Sequence, residues 1–294
     1  MVIGMLSALG ASVCYGTATV LQAVAARAAV EPDAGASRSG VDTALFVRAV
    51  RQWRYLLGLV LDGAGFVLQI VALRLIPIYA VGAALAASLA VTAVLATRVL
   101  AVRLSRTEWA AVAVVCAGLA MLGLASGPEG GTPAPPWLEW ALLGTAVAVL
   151  LGGAAAGRLP GRPRALVLGG CAGLGFGVPE VAVRLLDRPS VADPALYALL
   201  LGGAAAFLLL TSAFAHGSVT TATAGMVLAE TIAPAVVGIV WLGDRTREGL
   251  AWLAVLGFAV SVAGALALAR FGEIPAAATP PRSTGSPPGG RGGG

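Results

Sequence analysis

The chain is expected to fold as an all-α polytopic membrane protein, with about nine transmembrane helices in two inverted four-helix repeats joined by a linker helix. Composition, the spacing of apolar stretches and a likeness between the two ends of the chain carry this expectation. Of 294 residues, 58% are hydrophobic and 11% charged, and the mean hydropathy is +0.90. Nineteen basic and fourteen acidic side chains are too few to cover a soluble domain of this length, so one soluble core is excluded. A net charge of +5 and a pI near 9.7 do not indicate nucleic acid. The basic residues are all arginines scattered between apolar runs, with no basic helix or aromatic-interleaved patch.

A spanning helix needs about 20 mostly apolar residues. The first such stretch runs from Val2 to about Ala26. It lacks a leading Lys or Arg and is longer than the core of a signal peptide, so it is read as a helix. The segment from Ala28 to Arg54 is polar enough to lie outside the bilayer. The second span, Tyr55 to Ile76, meets the third, Pro77 to about Leu100, at the Leu75-Ile76-Pro77 break, which demands a tight hairpin. The fourth span covers Thr107 to Ser126, the fifth Trp137 to Gly157 and the sixth Ala165 to Leu186. Ala195 to Ala215, Val219 to Leu242 and Leu250 to Ala269 complete the set. The tail from Pro275, rich in Pro and Gly, is expected to be disordered.

With nine spans, the side opposite the N-terminus receives fourteen of the nineteen arginines and the N-terminal side five. Positive residues favour the cytoplasm, which places the chain in the plasma membrane with its N-terminus outside and C-terminus inside. An even number of spans would erase that bias.

At an offset of about 141, Pro77-Ile-Tyr-Ala-Val-Gly falls on Ser218-Val-Thr-Thr-Ala-Thr. The turn Ala101-Val-Arg-Leu-Ser-Arg-Thr-Glu falls on Gly243-Asp-Arg-Thr-Arg-Glu. At a larger offset Gly16 falls on Gly177 and Arg27 on Arg188, because the polar segment after the first span has no long counterpart. Spans one to four thus match six to nine, dividing the chain into a first repeat (1–126, with the polar loop 28–54), a linker (127–161), a second repeat (162–271) and a tail (272–294). An odd linker inverts the second copy, the architecture of alternating-access transporters with a site near the midplane.

Catalytic signatures are missing: Cys14, Cys116 and Cys171 form no Cys-Cys or Cys/His motif, and His216 is the single histidine. Neither an enzyme, a metal site nor a cofactor is expected. His216 reads as an interfacial side chain at a helix end.

Gly10-Ala-Ser-Val-Cys-Tyr-Gly-Thr in the first span, the Ala72-Leu-Arg-Leu-Ile-Pro hairpin, and Glu230-Thr-Ile-Ala-Pro-Ala-Val-Val-Gly-Ile-Val-Trp-Leu-Gly-Asp-Arg resemble the drug/metabolite transporter superfamily, in its EamA-like/NIPA-like branch. That resemblance covers the chain to about Phe271, and nine helices with a polar segment after the first look most like the NIPA-like branch. The NIPA-like branch implies magnesium transport, but its second-helix acid would fall at Phe66. The membrane glutamate of small multidrug-resistance relatives would fall at Val13.

Ionisable groups at bilayer depth cost about 2.5–3.5 kcal/mol each on insertion scales, so they are candidate site residues. Glu230 lies about halfway along the eighth span with no basic residue at i+3 or i+4, and Pro234 leaves the carbonyl of residue 230 without its usual donor. The other reading is a protonated Glu230 bonded to Thr211 or Thr223. Asp62 and Gln69, seven apart, share a face of the second span and could line a polar path; otherwise Asp62 pairs with a loop arginine. Glu180, after Pro179, has Arg184 at i+4 as an ion-pair partner. Gln22 and Tyr15 polarise the first span as substrate contacts or as glue between helices.

Together these residues predict a secondary transporter of a small polar or amphipathic solute, with proton coupling through Glu230 and Asp62 as the second acid. The alternatives are a NIPA-like Mg2+ transporter and a non-transporting scaffold. Its expected partners are the lipid bilayer and a small-molecule or ion substrate, with a homodimer as an option and no nucleic acid.

Overall fold

A computed structural model describes residues 2–30, 41–76, 81, 84–101, 103–127, 130–159, 161–186 and 192–271. The helices are α1 (Val2–Ala28), α2 (Thr43–Val50), α3 (Trp53–Leu75), α4 (Ala87–Val99), α5 (Arg106–Ala125), α6 (Trp137–Ala156), α7 (Gly161–Leu185), α8 (Pro194–His216), α9 (Val219–Val237) and α10 (Ala251–Phe271). Eight of them, all but α2 and α4, are long and apolar enough to cross a membrane. No strand forms among the described residues beyond one bridge, Ser126 to Thr246. The chain is a polytopic helical membrane protein.

Local sequence sets most of the boundaries. Ser105 caps α5 and Glu108 reaches back to the Ser105 N–H, a reciprocal box that satisfies two otherwise orphaned donors. Ser218 caps α9 in the same position, and Pro194 opens α8 where its missing N–H costs nothing. Helix α3 ends at Ile76, whose extended backbone is what a following proline demands. Six residues of the third expected span, 77–80 and 82–83, lie outside the described residues, and α4 is the helix described within it. The expected loop 31–40 and the tail from 272 also lie outside them.

The segment between the first two spans carries a short helix: Asp42 accepts the Leu45 N–H and starts α2, which buries Leu45 and Ala49. Overall polarity hid an i, i+4 apolar pair behind an N-cap.

Helix α1 packs chiefly on α3 and α4, α7 on α8 and α9, and α5 on α10, while α6 covers α7 and α8. Glycines permit the closest of these approaches. On α7 a Cβ at Gly169 or Gly173 would strike the backbone carbonyls of Ala222 and Met226 on α9. On α5 and α10, Gly118 and Gly257 meet reciprocally, each 2.7–2.8 Å from the other's carbonyl at the position of a Cβ. Backbone contact of this kind replaces the hydrophobic drive that lipid removes.

Beyond α9 the chain widens into a π-turn, Gly238–Leu242, in which the Gly238 carbonyl accepts the N–H groups of both Gly243 and Asp244. Gly243 then takes φ +76°, a left-handed conformation that suits glycine. Asp244 fastens this end of the bundle: it accepts two hydrogen bonds from Arg184 (2.7 and 2.8 Å) and one from the Gly130 N–H (2.6 Å). Those Arg184 bonds, with the Gly130 N–H and the guanidinium charge, hold the Asp244 carboxyl below its ordinary range. A depressed folded-state pKa stabilises above the unfolded value near 3.9 and is lost as pH falls through the folded one. Asp244→Asn is therefore expected to cost roughly 0.5–1 kcal/mol at neutral pH, the scale of a partly exposed pair. In a melting series the gap from wild type should close only in strong acid; a gap constant down to pH 2 would contradict this account.

Candidate functional site

Helices α1 and α3 run antiparallel, and their polar side chains meet in two rungs. Tyr15 Oη donates to Gln69 Oε1 at 2.7 Å, and Gln22 Nε2 donates to Asp62 Oδ2 at 2.6 Å. Each helix contributes residues seven apart, two turns on one face, so a single antiparallel register forms both rungs. Gly65 and Gly58 make room: a Cβ at Gly65 would lie 3.0 Å from the Tyr15 ring, and one at Gly58 would lie 2.8 Å from Gln22 Cγ.

Glu230 stands midway along α9, half-buried, and nothing hydrogen-bonds its carboxylate among the described residues. Glu180 on α7 and Asp62 on α3 both lie within electrostatic reach of it, and Tyr15 feels Glu230 and Asp62 together. Five of the six expected polar residues, Tyr15, Gln69, Asp62, Glu230 and Glu180, are accessible, while Gln22 is buried at 3%. Tyr15 and Asp62 thus belong to the rungs between α1 and α3, while Glu230 and Glu180 stand on α9 and α7.

Pro234 and Pro179 sit inside α9 and α7. Without a Pro234 N–H the Glu230 carbonyl is left free of its helical partner. Gly177 faces that spot, with Pro234 Cγ 3.0 Å and the Glu230 oxygen 3.8 Å from where a Cβ would be. Carboxylate and backbone oxygen of residue 230 are both available from α9.

Several pairings differ from those read in the sequence. Thr211 bonds Tyr55 and the Phe207 carbonyl, and the Thr223 hydroxyl has no partner, so neither threonine holds Glu230. Asp62 is met by Gln22, and no arginine pairs with it among the described residues. Arg184 makes two hydrogen bonds to Asp244, a contact that i+4 spacing does not suggest and that leaves its expected pairing with Glu180 neither shown nor contradicted. Phe66 is 58% exposed and Val13 52%, so both side chains face outward.

Tyr55 was missed. It is 1% exposed and its hydroxyl meets Thr211 Oγ1 at 2.9 Å. Since the single Thr211 proton goes to the Phe207 carbonyl at 2.7 Å, Tyr55 is the donor. An aromatic at the start of a span is ordinarily an interfacial anchor, which concealed it.

No family model, curated protein or solved structure matches this chain.

Proposed function

We propose that this protein is a secondary transporter that moves a small polar or amphipathic solute by alternating access, with Glu230 as the proton-coupling acid and Asp62 as its second. The supporting observation is the pair of polar rungs between α1 and α3, Tyr15 with Gln69 and Gln22 with Asp62, together with a half-buried Glu230 midway along α9 whose carboxylate accepts no hydrogen bond among the described residues. Carboxylates kept at bilayer depth are costly unless they serve a path. A scaffold would close each acid off in its own helix contact, and the accessible Glu230 does not fit that pattern.

Helix pairing favours the inverted repeat. The packing of α1 on α3 and α4 is repeated by α7 on α8 and α9, and α5 meets α10 through reciprocal glycines. Counted as the third span, α4 would bring the total to nine, which supports an arginine-rich end in the cytoplasm and an N-terminus outside. These features support the likeness to the drug/metabolite transporter superfamily. Divalent-cation transport needs convergent hard oxygens, and among the described residues no three His, Cys, Asp or Glu side chains stand close enough to hold a metal ion. The solute reading is the better fit.

A thermal-shift screen of purified wild type and Glu230→Gln against Mg2+, amino acids, organic cations and nucleobases, across pH, tests the proposal. A ligand at one hundred times its Kd stabilises by about 2.7 kcal/mol. The expected result is an organic solute that raises the wild-type Tm and has no effect on Glu230→Gln. Stabilisation by Mg2+ alone would transfer the reading to divalent cations. Equal stabilisation of both proteins would remove Glu230 from the site.

A further inference from the structure

The pairing of helices that relates the two halves is incomplete. Helix α1 packs on α8, yet among the described residues the equivalent pair, α7 and α3, has no comparable interface. Contacts between α1 and α8 concentrate at the arginine-rich end. There Arg27 donates to the carbonyls of Phe214 (3.2 Å) and Gly217 (2.9 Å), and Tyr55 bonds Thr211. Helix α2 lies over this junction: Leu45 and Ala49 are buried with Ala25, Ala29 and Tyr55 in one apolar cluster that Ala215 of α8 joins. Phe46 stands edge-on to the Tyr55 ring at 6.1 Å, and Arg48 ties α2 to the Ala29 carbonyl at 3.0 Å.

Accessibility changes along the same axis. Glu180, toward the opposite end of α7, is exposed; Gln69, Tyr15, Asp62 and Glu230 are half-buried; Gln22 and Tyr55 are closed off. The arginine-rich end of the site is therefore closed by packing, and its other end is less tightly covered. We propose that α2 and the Tyr55–Thr211 hydrogen bond form a latch that closes the arginine-rich end, and that this structure is the state whose acidic site opens to the opposite side. Among the described residues the latch helix belongs to the first half, and the segment that follows the sixth span is short. Opening toward the arginine-rich side requires Tyr55 to leave Thr211 and the apolar cluster to part. This rests on the transporter reading, but its test needs no solute, so it can fail while ligand binding at Glu230 stands.

The test uses a full-length protein freed of Cys14, Cys116 and Cys171, with one reporter cysteine and a membrane-impermeant maleimide. Thr223→Cys reports the sealed side, because Thr223 is 2% exposed and lies two turns before Glu230 on the same face. Glu180→Cys reports the open side. Each reporter is compared with and without Tyr55→Phe, which removes the latch donor and keeps the ring. Losing one hydrogen bond of ordinary strength shifts a two-state population about fivefold. Labelling of residue 223 from the arginine-rich side is expected to rise by about that factor while labelling of residue 180 from the other side falls. Thr211→Val removes the acceptor of the same bond and should reproduce both changes; it carries the test if Tyr55→Phe does not fold. Unchanged rates, or a rise at both reporters as in general loosening, would overturn the proposal.

Discussion

Gly173→Leu is expected to abolish the folded protein. At this position α7 and α9 touch backbone to backbone: a Cβ would strike the Met226 carbonyl and stand 2.9 Å from Met226 Cα. Gly169 makes the same approach to Ala222 one turn earlier, so the two helices lie close along a continuous face. A flexible side chain could swing away from an added methyl, but a carbonyl fixed in a helix cannot. Relief therefore requires the helices to separate. Overpacking an interior by a few methylenes costs about 1–3 kcal/mol, and separating α7 from α9 would also displace Glu230 from Glu180. Yield of monodisperse protein and Tm in detergent measure the effect. Gly144→Ala is the control, since nothing lies within 4 Å of a Cβ there, and it should leave Tm unchanged or slightly raised. A wild-type Tm for Gly173→Leu would show that the helices do not approach as described.

The second large effect is expected at Gln22. Gln22→Leu removes the donor to Asp62 and leaves a carboxylate at bilayer depth without a partner. Hydrogen bonds between membrane helices measure about 0.6 kcal/mol on average, whereas bonds to charged groups are worth about 1.5–3 kcal/mol. Gln22 is buried, so its loss leaves the Asp62 acceptor unmatched at a cost of about 1–3 kcal/mol, and a loss of about 2 kcal/mol is expected. Adding Asp62→Leu should restore most of it, because the stranded acid is then gone. Reversible unfolding of the two single variants and the double variant gives the coupling directly. Additive losses would mean that the rung contributes nothing.

The second prediction also shows how far the sequence could be read. Seven-residue spacing placed Asp62 and Gln69 on one face of α3, and Tyr15 and Gln22 stood out as polar residues in α1. Their pairing requires the antiparallel register of α1 and α3, and two apolar helices in lipid offer little patterning from which to choose one. Glu230 was legible because a carboxylate four residues before a proline is conspicuous in an apolar span. Its approach to Asp62 and Glu180 was not legible, since it depends on how helices from distant parts of the chain pack. The same limit hid the contact between Tyr55 and Thr211, 156 residues apart. Asp244 was visible in the Gly-Asp-Arg turn, but its role came from Arg184 and Gly130, which adjoin it only in the fold. Helix α2 was legible in principle, from an Asp cap followed by Leu45 and Ala49, and was obscured by the polarity of the segment around it.

The π-turn at Gly238–Leu242 bears on how the gene can change. A π-turn holds one residue more than the α-helical path needs. Elsewhere in a spanning helix, loss of one codon rotates every later side chain by about 100° and would carry buried faces into lipid. Between Ile239 and Trp241 the same deletion would convert the wide turn into a regular one and leave Glu230 and Pro234 where they are. Short deletions within the spans of this protein should therefore survive selection at this one site far more often than elsewhere.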